Sequence, residues 1–203
     1  MDMKIIDLKK TILEDNDKDA ELLRKETRAE RVCYLNVMSS PGSGKTSTIL
    51  ALLHAIGDRI SCGVMEADID SDVDAKTVYE AAESMGRKKP ELVILENVGN
   101  LVCPAEFDTG SDLNLVILSV PEGDDKPLKY PLMFEKADLV VINKMDSLPA
   151  FDFDLKKCEA NIRLRNEKAC IFPISARTGE GISELAEKIT EHVRERLAEG
   201  EEK

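Results

Sequence analysis

The 203-residue sequence contains no tryptophan, and aromatic residues make up only 4% of it. Proteins that hold single-stranded nucleic acid stack bases on aromatic side chains, so that class fits poorly. Cations are also short: 28 Lys and Arg stand against 40 Asp and Glu, a formal net charge of -12. Nucleic acid and anionic membranes call for clustered positive charge, and the chain is expected to bind neither. The longest apolar runs, such as Leu113–Val120 and Leu139–Ile142, are far too short to cross a bilayer. The first residues, charged throughout, predict that no signal peptide precedes the fold. Five cysteines are present without a CxxC pair, which suits a reducing cytoplasm better than a disulfide framework. Internal repeats and low-complexity linkers are missing too. What remains is 42% hydrophobic residues, enough for the core of one domain of ordinary size.

Residues 1–29 differ from the rest. Ile5, Leu8, Ile12 and Leu13 share a helical face, the polar stretch Glu14–Ala20 interrupts it, and Leu22 and Leu23 resume it. This predicts an N-terminal arm of one or two amphipathic helices that docks on the domain or on a partner. The domain itself is expected over 30–203. Six continuous apolar strand runs (Val32–Met38, Ile60–Glu66, Leu92–Leu95, Leu113–Val120, Leu139–Ile142 and Cys170–Ile174) are predicted. Helices are expected at Thr46–Ile56, near Asp74–Met85, within 154–167 and at Ile182–Leu197. Such alternation implies a three-layer α/β architecture around a mostly parallel sheet. Polar or glycine-rich loops follow the strands, where the ligands of such sheets bind.

The segment Ser39-Ser40-Pro41-Gly42-Ser43-Gly44-Lys45-Thr46 joins the first strand to the first helix, the context a phosphate-binding P-loop requires. Glycines let backbone N–H groups turn inward around phosphates, and the helix N-terminus adds its dipole. Lys45 supplies charge for the β- and γ-phosphates, and the Thr46 hydroxyl is a Mg²⁺ ligand candidate. Pro41, Gly42, Ser43, Gly44 and Ser47 complete the predicted phosphate contacts. Ser39 stands where the strict pattern has glycine. Acidic residues at neighbouring strand ends hold Mg²⁺ in such enzymes. Glu96 occupies that place after the third strand. Gly99 completes an ExxG whose N–H is expected to contact a γ-phosphate. Asp68 is a second candidate, on a loop expected to switch with the nucleotide. Asp72 and Asp74 follow it, the latter reading equally as a helix N-cap.

Asn143-Lys144-Met145-Asp146 follows the fifth strand, and Ser175-Ala176-Arg177 follows the sixth. Guanine presents N1–H and N2–H₂ as adjacent donors, which one ionised carboxylate accepts together. Adenine offers no such pair, so Asp146 selects guanine. Asn143 is expected at the ring edge, the Lys144 stem over the purine, and the Ala176 N–H on the guanine carbonyl. The expected activity is hydrolysis of GTP to GDP and phosphate, by positioning and charge stabilisation. Its turnover is expected to be slow, because no glutamine or arginine finger is evident.

Together with the P-loop and NKMD, the stretches Glu96–Asp108 (ENVGNLVCPAEFD) and Leu118–Pro131 (LSVPEGDDKPLKYP) resemble the HypB family of hydrogenase nickel-incorporation GTPases over about residues 30–195. The resemblance implies a GTPase that dimerises with nucleotide and helps load nickel into [NiFe]-hydrogenase. It also implies a small zinc-containing nickel chaperone and the hydrogenase large-subunit precursor as partners, and it places Thr46, Asp68 and Glu96 near Mg²⁺. Segment 121–131, with Lys126 and Lys129, is expected at a subunit contact or in a solvated loop.

One departure matters. Members of the family usually carry an adjacent Cys-His pair before the ENVG strand, and this sequence has none. Of the ligands in question only Cys103 remains, to be read as a Ni²⁺ or Zn²⁺ ligand or as a small apolar loop residue. One Cys103 from each subunit would give two of about four ligands, a labile site. Cys33, Cys62 and Cys170 are expected in the core, Cys158 has no assigned role, and His54 and His192 are expected on helix faces. Three functions stay open: a nickel metallochaperone GTPase, a GTP-gated adaptor without its own metal site, or a chaperone for another metalloenzyme such as urease.

Overall fold

The computed structural model describes residues 2–66, 90–97 and 108–199, with side chains from Asn16 onward and that of Glu66 excepted. The helix expected near Asp74–Met85 lies outside them. The first element is a single 28-residue helix, α1 (Asp2–Ala29). The polar stretch does not break it. Ala20, Leu23 and Thr27 form a buried stripe at helical spacing, while Asp17 and Asp19 on the same turns face solvent.

Six strands follow: β1 (Cys33–Ser39), β2 (Cys62–Glu66), β3 (Leu92–Glu96), β4 (Leu113–Ser119), β5 (Leu139–Asn143) and β6 (Cys170–Pro173). They form one sheet in the order β2-β3-β1-β4-β5-β6, and every pair is parallel. Helix α2 (Lys45–Ile56) follows β1. The short helices α3 (Lys126–Lys129) and α4 (Pro131–Glu135) follow β4, α5 (Leu155–Arg163) precedes β6, and α6 (Ile182–Ala198) ends the fold. A proline stands at the first or second position of both α3 and α4, where its missing N–H costs nothing. Among the described residues no helix is long and apolar enough to cross a membrane.

Alternate strand residues enter opposite layers. Leu35, Val37, Ile94 and Ile117 pack with Leu52 of α2 and Leu185 and Ile189 of α6. On the other face Met38, Val116 and Val140 meet Phe134 of α4 and Ile162 of α5, and Tyr34, Val93 and Leu95 meet Leu23 of α1. Burying each such side chain stabilises the fold by roughly 1.5–3 kcal/mol. Of the cysteines, Cys33 is fully buried, and Cys62 and Cys170 are half-buried against the same core. Cys158, to which the sequence assigned nothing, is a fully buried core residue of α5.

The strand tips opposite the candidate site are tied by charge. Arg196 of α6 donates from Nε to Asp112 at 2.6 Å. The second Asp112 oxygen accepts the Tyr34 N–H at 2.9 Å. Helix α1 is fastened nearby. Arg24 makes two hydrogen bonds to Asp108 at 2.6 and 2.8 Å. The Asn16 side chain bonds the Asp108 N–H and carbonyl at 2.9 and 3.1 Å. Gly110 lies so close beneath the helix that a Cβ would sit 3.0 Å from the Ala20 carbonyl.

Candidate functional site

After β1 the chain turns through Gly42 and Gly44, both in the left-handed region at φ +79° and +90°, which favours glycine. Helix α2 starts at Lys45 with no side-chain cap and no acidic residue in its first turn. Its first N–H groups and its positive dipole end therefore face the loop, an arrangement suited to an anion. Pro41 and Ser47 are exposed at the rim, and Ser43 is buried.

The neighbouring strand end comes from β3. Val37 pairs with Glu96 in the sheet, which brings the Glu96 carboxylate to the start of α2. Thr46 Oγ1 donates to Glu96 Oε1 at 2.8 Å. Lys45 Nζ lies 3.7 Å from the same carboxylate and donates to the Asn97 carbonyl. A hydroxyl beside a carboxylate is a hard-oxygen pair that fits Mg²⁺. Asp68, Gly99 and Cys103 lie outside the described residues.

The tips of β5 and β6 close the site from the other side. Asn143 is 2% exposed. Its Nδ2 donates to the Ser43 carbonyl of the phosphate loop at 2.9 Å. Its Oδ1 accepts from the Ala176 N–H at 3.1 Å and from the Lys144 N–H at 2.7 Å. One amide thus joins three loops. It is wedged against Gly44, where a Cβ would fall 2.5 Å from Asn143 Nδ2. Lys144, itself left-handed at φ +63°, donates from Nζ to the Gly42 carbonyl at 2.5 Å. Asp146 Oδ1 accepts from Ser175 Oγ at 2.7 Å, and the same Ser175 oxygen accepts the Thr178 N–H at 3.1 Å. This holds one Asp146 oxygen and leaves the other directed 3.7 Å from Arg177, whose side chain is 87% exposed.

A further group escaped the sequence reading. Glu122, in a single 3-10 turn after β4 (Val120–Glu122), caps Ser119 and accepts a hydrogen bond from Ser40 of the phosphate loop. The spacing Ser119-x-x-Glu122 is a capping box, a signal hidden among the acidic residues of that loop. Lys126 and Lys129, in the segment expected at a subunit contact or in a solvated loop, are paired within the chain with Glu122 at 3.0 Å and Asp125 at 2.8 Å.

Comparison with known proteins decides the family. The family model for the CobW/HypB/UreG nucleotide-binding domain matches residues 75–173. The hydrogenase maturation factor HypB of Rhizobium leguminosarum bv. viciae is 40% identical over 88% of this chain and 68% of its own. The chain belongs to the HypB family. Its fold agrees with two HypB crystal structures. That of the hydrogenase maturation factor from Archaeoglobus fulgidus has a TM-score of 0.79 at 34% identity, over 88% of this chain and 98% of that one. That of HypB from Helicobacter pylori in complex with nickel has a TM-score of 0.76 at 31% identity, covering 90% and 97%. The expected three-layer P-loop fold with its parallel sheet is therefore the fold of the HypB family. The Ser39–Thr46, Glu96 and Asn143–Asp146 segments lie at the C-terminal ends of β1, β3 and β5.

Proposed function

We propose that this HypB-family chain is a GTPase maturation factor that couples GTP hydrolysis to nickel delivery during [NiFe]-hydrogenase assembly. The observation that carries the reading is the Asn143 clasp, which sets the phosphate loop, NKMD and the Ser175–Arg177 loop around one space. In it the Gly42–Thr46 N–H groups and Lys45 hold the β- and γ-phosphates. Asp146, preset by Ser175, accepts from the guanine N1–H and N2–H₂. The Lys144 stem covers the purine, and the Ala176 N–H, held by Asn143 Oδ1 at 3.1 Å, would be shared with the guanine carbonyl. Thr46 and Glu96 would hold Mg²⁺, with Asp68 as a further candidate. When bound, the ion neutralises charge developing on the phosphate oxygens. The Gly99 N–H is read as a γ-phosphate donor.

Nickel is the cargo, as the nickel complex of the Helicobacter pylori relative suggests. Cys103 from two subunits is the family ligand left to this sequence, for Ni²⁺ or Zn²⁺. A GTP-dependent homodimer in the cytoplasm would then work with a small zinc-containing nickel chaperone and the hydrogenase large-subunit precursor. Residues 1–29 are read as an arm on the GTPase domain of 30–203.

Asp146→Asn tests the base reading. Replacing an ionised acceptor of two donors by an amide should cost GTP about 3 kcal/mol or more, over a hundredfold in Kd. Affinity for xanthosine nucleotides should rise, since their 2-oxo group accepts from the new amide. GTP binding unchanged in this variant would refute the assignment. Nickel titration of wild type against Cys103→Ala separates a metallochaperone from an adaptor with no metal site of its own.

A further inference from the structure

Four donors converge on the Glu122 carboxylate, two from Ser119 at the end of β4 and one each from Ser40 and Lys126. Oε2 accepts the Ser119 N–H at 2.8 Å and the Ser119 hydroxyl at 2.9 Å. Oε1 accepts the Ser40 hydroxyl and faces Lys126 Nζ at 3.0 Å. The Glu122 and Lys126 side chains are only 13% and 14% exposed, and Ser40 is 8% exposed. The Lys126 ammonium in turn lies 4.9 Å from the centre of the Tyr130 ring, a cation–π distance. An acidic group this near a polyphosphate cradle is costly unless it has structural work and a compensating cation. Here it has both.

We propose that Glu122 is a positioning residue of the phosphate loop: it fixes Ser40 at the entrance of the β1–α2 turn and links that turn, through Lys126, to Tyr130. The inference rests on the nucleotide reading above and deepens it. Ser40 sits two residues before Gly42. When the loop closes on phosphate its hydroxyl must follow, and Glu122 is the group it moves against. Lys126 is shared between that carboxylate and the Tyr130 ring, so α3 registers phosphate-loop occupancy without touching the nucleotide.

The test compares wild type, Glu122→Gln, Ser40→Ala and the double variant. GDP affinity is titrated with a fluorescent GDP analogue. Each protein also carries 3-fluorotyrosine, with the Tyr130 ¹⁹F signal assigned by Tyr130→Phe among the three tyrosines. Each single variant should raise the GDP Kd about tenfold, the scale of one charge-assisted hydrogen bond. The double variant should be no worse than the worse single, because both act on the same contact, one by removing its donor and the other by removing the charge on its acceptor. The Tyr130 signal should shift on GDP saturation in wild type and stay in place in Glu122→Gln, a readout that general destabilisation does not move. Unchanged affinities, strictly additive losses, or a Tyr130 shift persisting in Glu122→Gln would each overturn the positioning role alone. Failure of wild type to bind any guanine nucleotide would overturn the parent reading and this one together.

Discussion

Removing the Asn143 amide is the perturbation for which the structure gives a magnitude. In Asn143→Ala the Ser43 carbonyl loses its donor at 2.9 Å, and the Ala176 N–H loses its acceptor at 3.1 Å. The residue is 2% exposed, so water does not readily replace it. A buried polar group left unpaired costs about 1–3 kcal/mol, and two of them bring the expected loss to about 2–6 kcal/mol. A domain above the low end of ordinary stability, about 5–15 kcal/mol, stays folded under that loss, so the effect is measurable by urea unfolding with linear extrapolation. GDP affinity should fall in the same variant, because the phosphate loop and the NKMD and Ser175–Arg177 loops lose their common tie. Asn143→Asp should be at least as damaging: it keeps the acceptor toward Ala176 but sets a carboxylate oxygen against the Ser43 carbonyl. Stability of Asn143→Ala within about 0.5 kcal/mol of wild type, the range of ordinary surface substitutions, would refute the clasp.

Arg196→Ala leaves the Asp112 carboxylate, 5% exposed, without its cation. It should cost about 3–5 kcal/mol in urea unfolding, as breaking a buried pair does, and a loss under 1 kcal/mol would contradict that. At Asp108, burial pushes the carboxyl up, but hydrogen bonds from Arg24 and the Gly110 N–H, with the charges of Arg24 and Lys136, outweigh it and hold the pKa below the usual value. A lowered folded-state pKa stabilises above the unfolded-state value, about 3.9, and that stability is lost as pH falls through the folded one. Arg24→Ala should therefore lose stability at neutral pH and show a flatter decline below about pH 4, and an unaltered acid limb would contradict this. Burial, with Asp112 beside one thiol and Asp124 and Glu159 beside the other, pushes Cys33 and Cys158 up to about 12. Brief alkylation at pH 8 followed by peptide mapping should leave both unmodified in native protein and modified in urea.

Much of this site was legible because its signals are local. Gly42, Gly44, Lys45 and Thr46 lie on one turn, and the NKMD and Ser175–Arg177 segments announce themselves within a few residues of apolar strands. What escaped depends on partners distant in the chain. Glu122 meets Ser40 across 82 positions and Arg24 meets Asp108 across 84, and no periodicity encodes either contact. The central part of Asn143 is of the same kind: its residue type was readable as a base contact, but its tie to Ser43 is a property of the packed loops. The sequence leaves open whether α1 is one helix or two because a run of polar residues reads as a break, whereas the buried stripe there needs only Ala20, Leu23 and Thr27.

The link from core to chemistry runs through strand register. In β3, Leu92 and Ile94 pack on the α2–α6 side and Val93 and Leu95 on the α1 side. Sliding β3 by one residue along β1 would reverse both sets, placing each side chain in the wrong layer. It would also move Glu96 by about 3.3 Å, more than the 2.8 Å that now separates its carboxylate from the Thr46 hydroxyl. The apolar sequence Leu92–Leu95 therefore fixes the acid that follows it. Core substitutions in β3 that loosen this register should weaken nucleotide binding before they unfold the chain, because a tip residue feels a shift that the buried strand still tolerates.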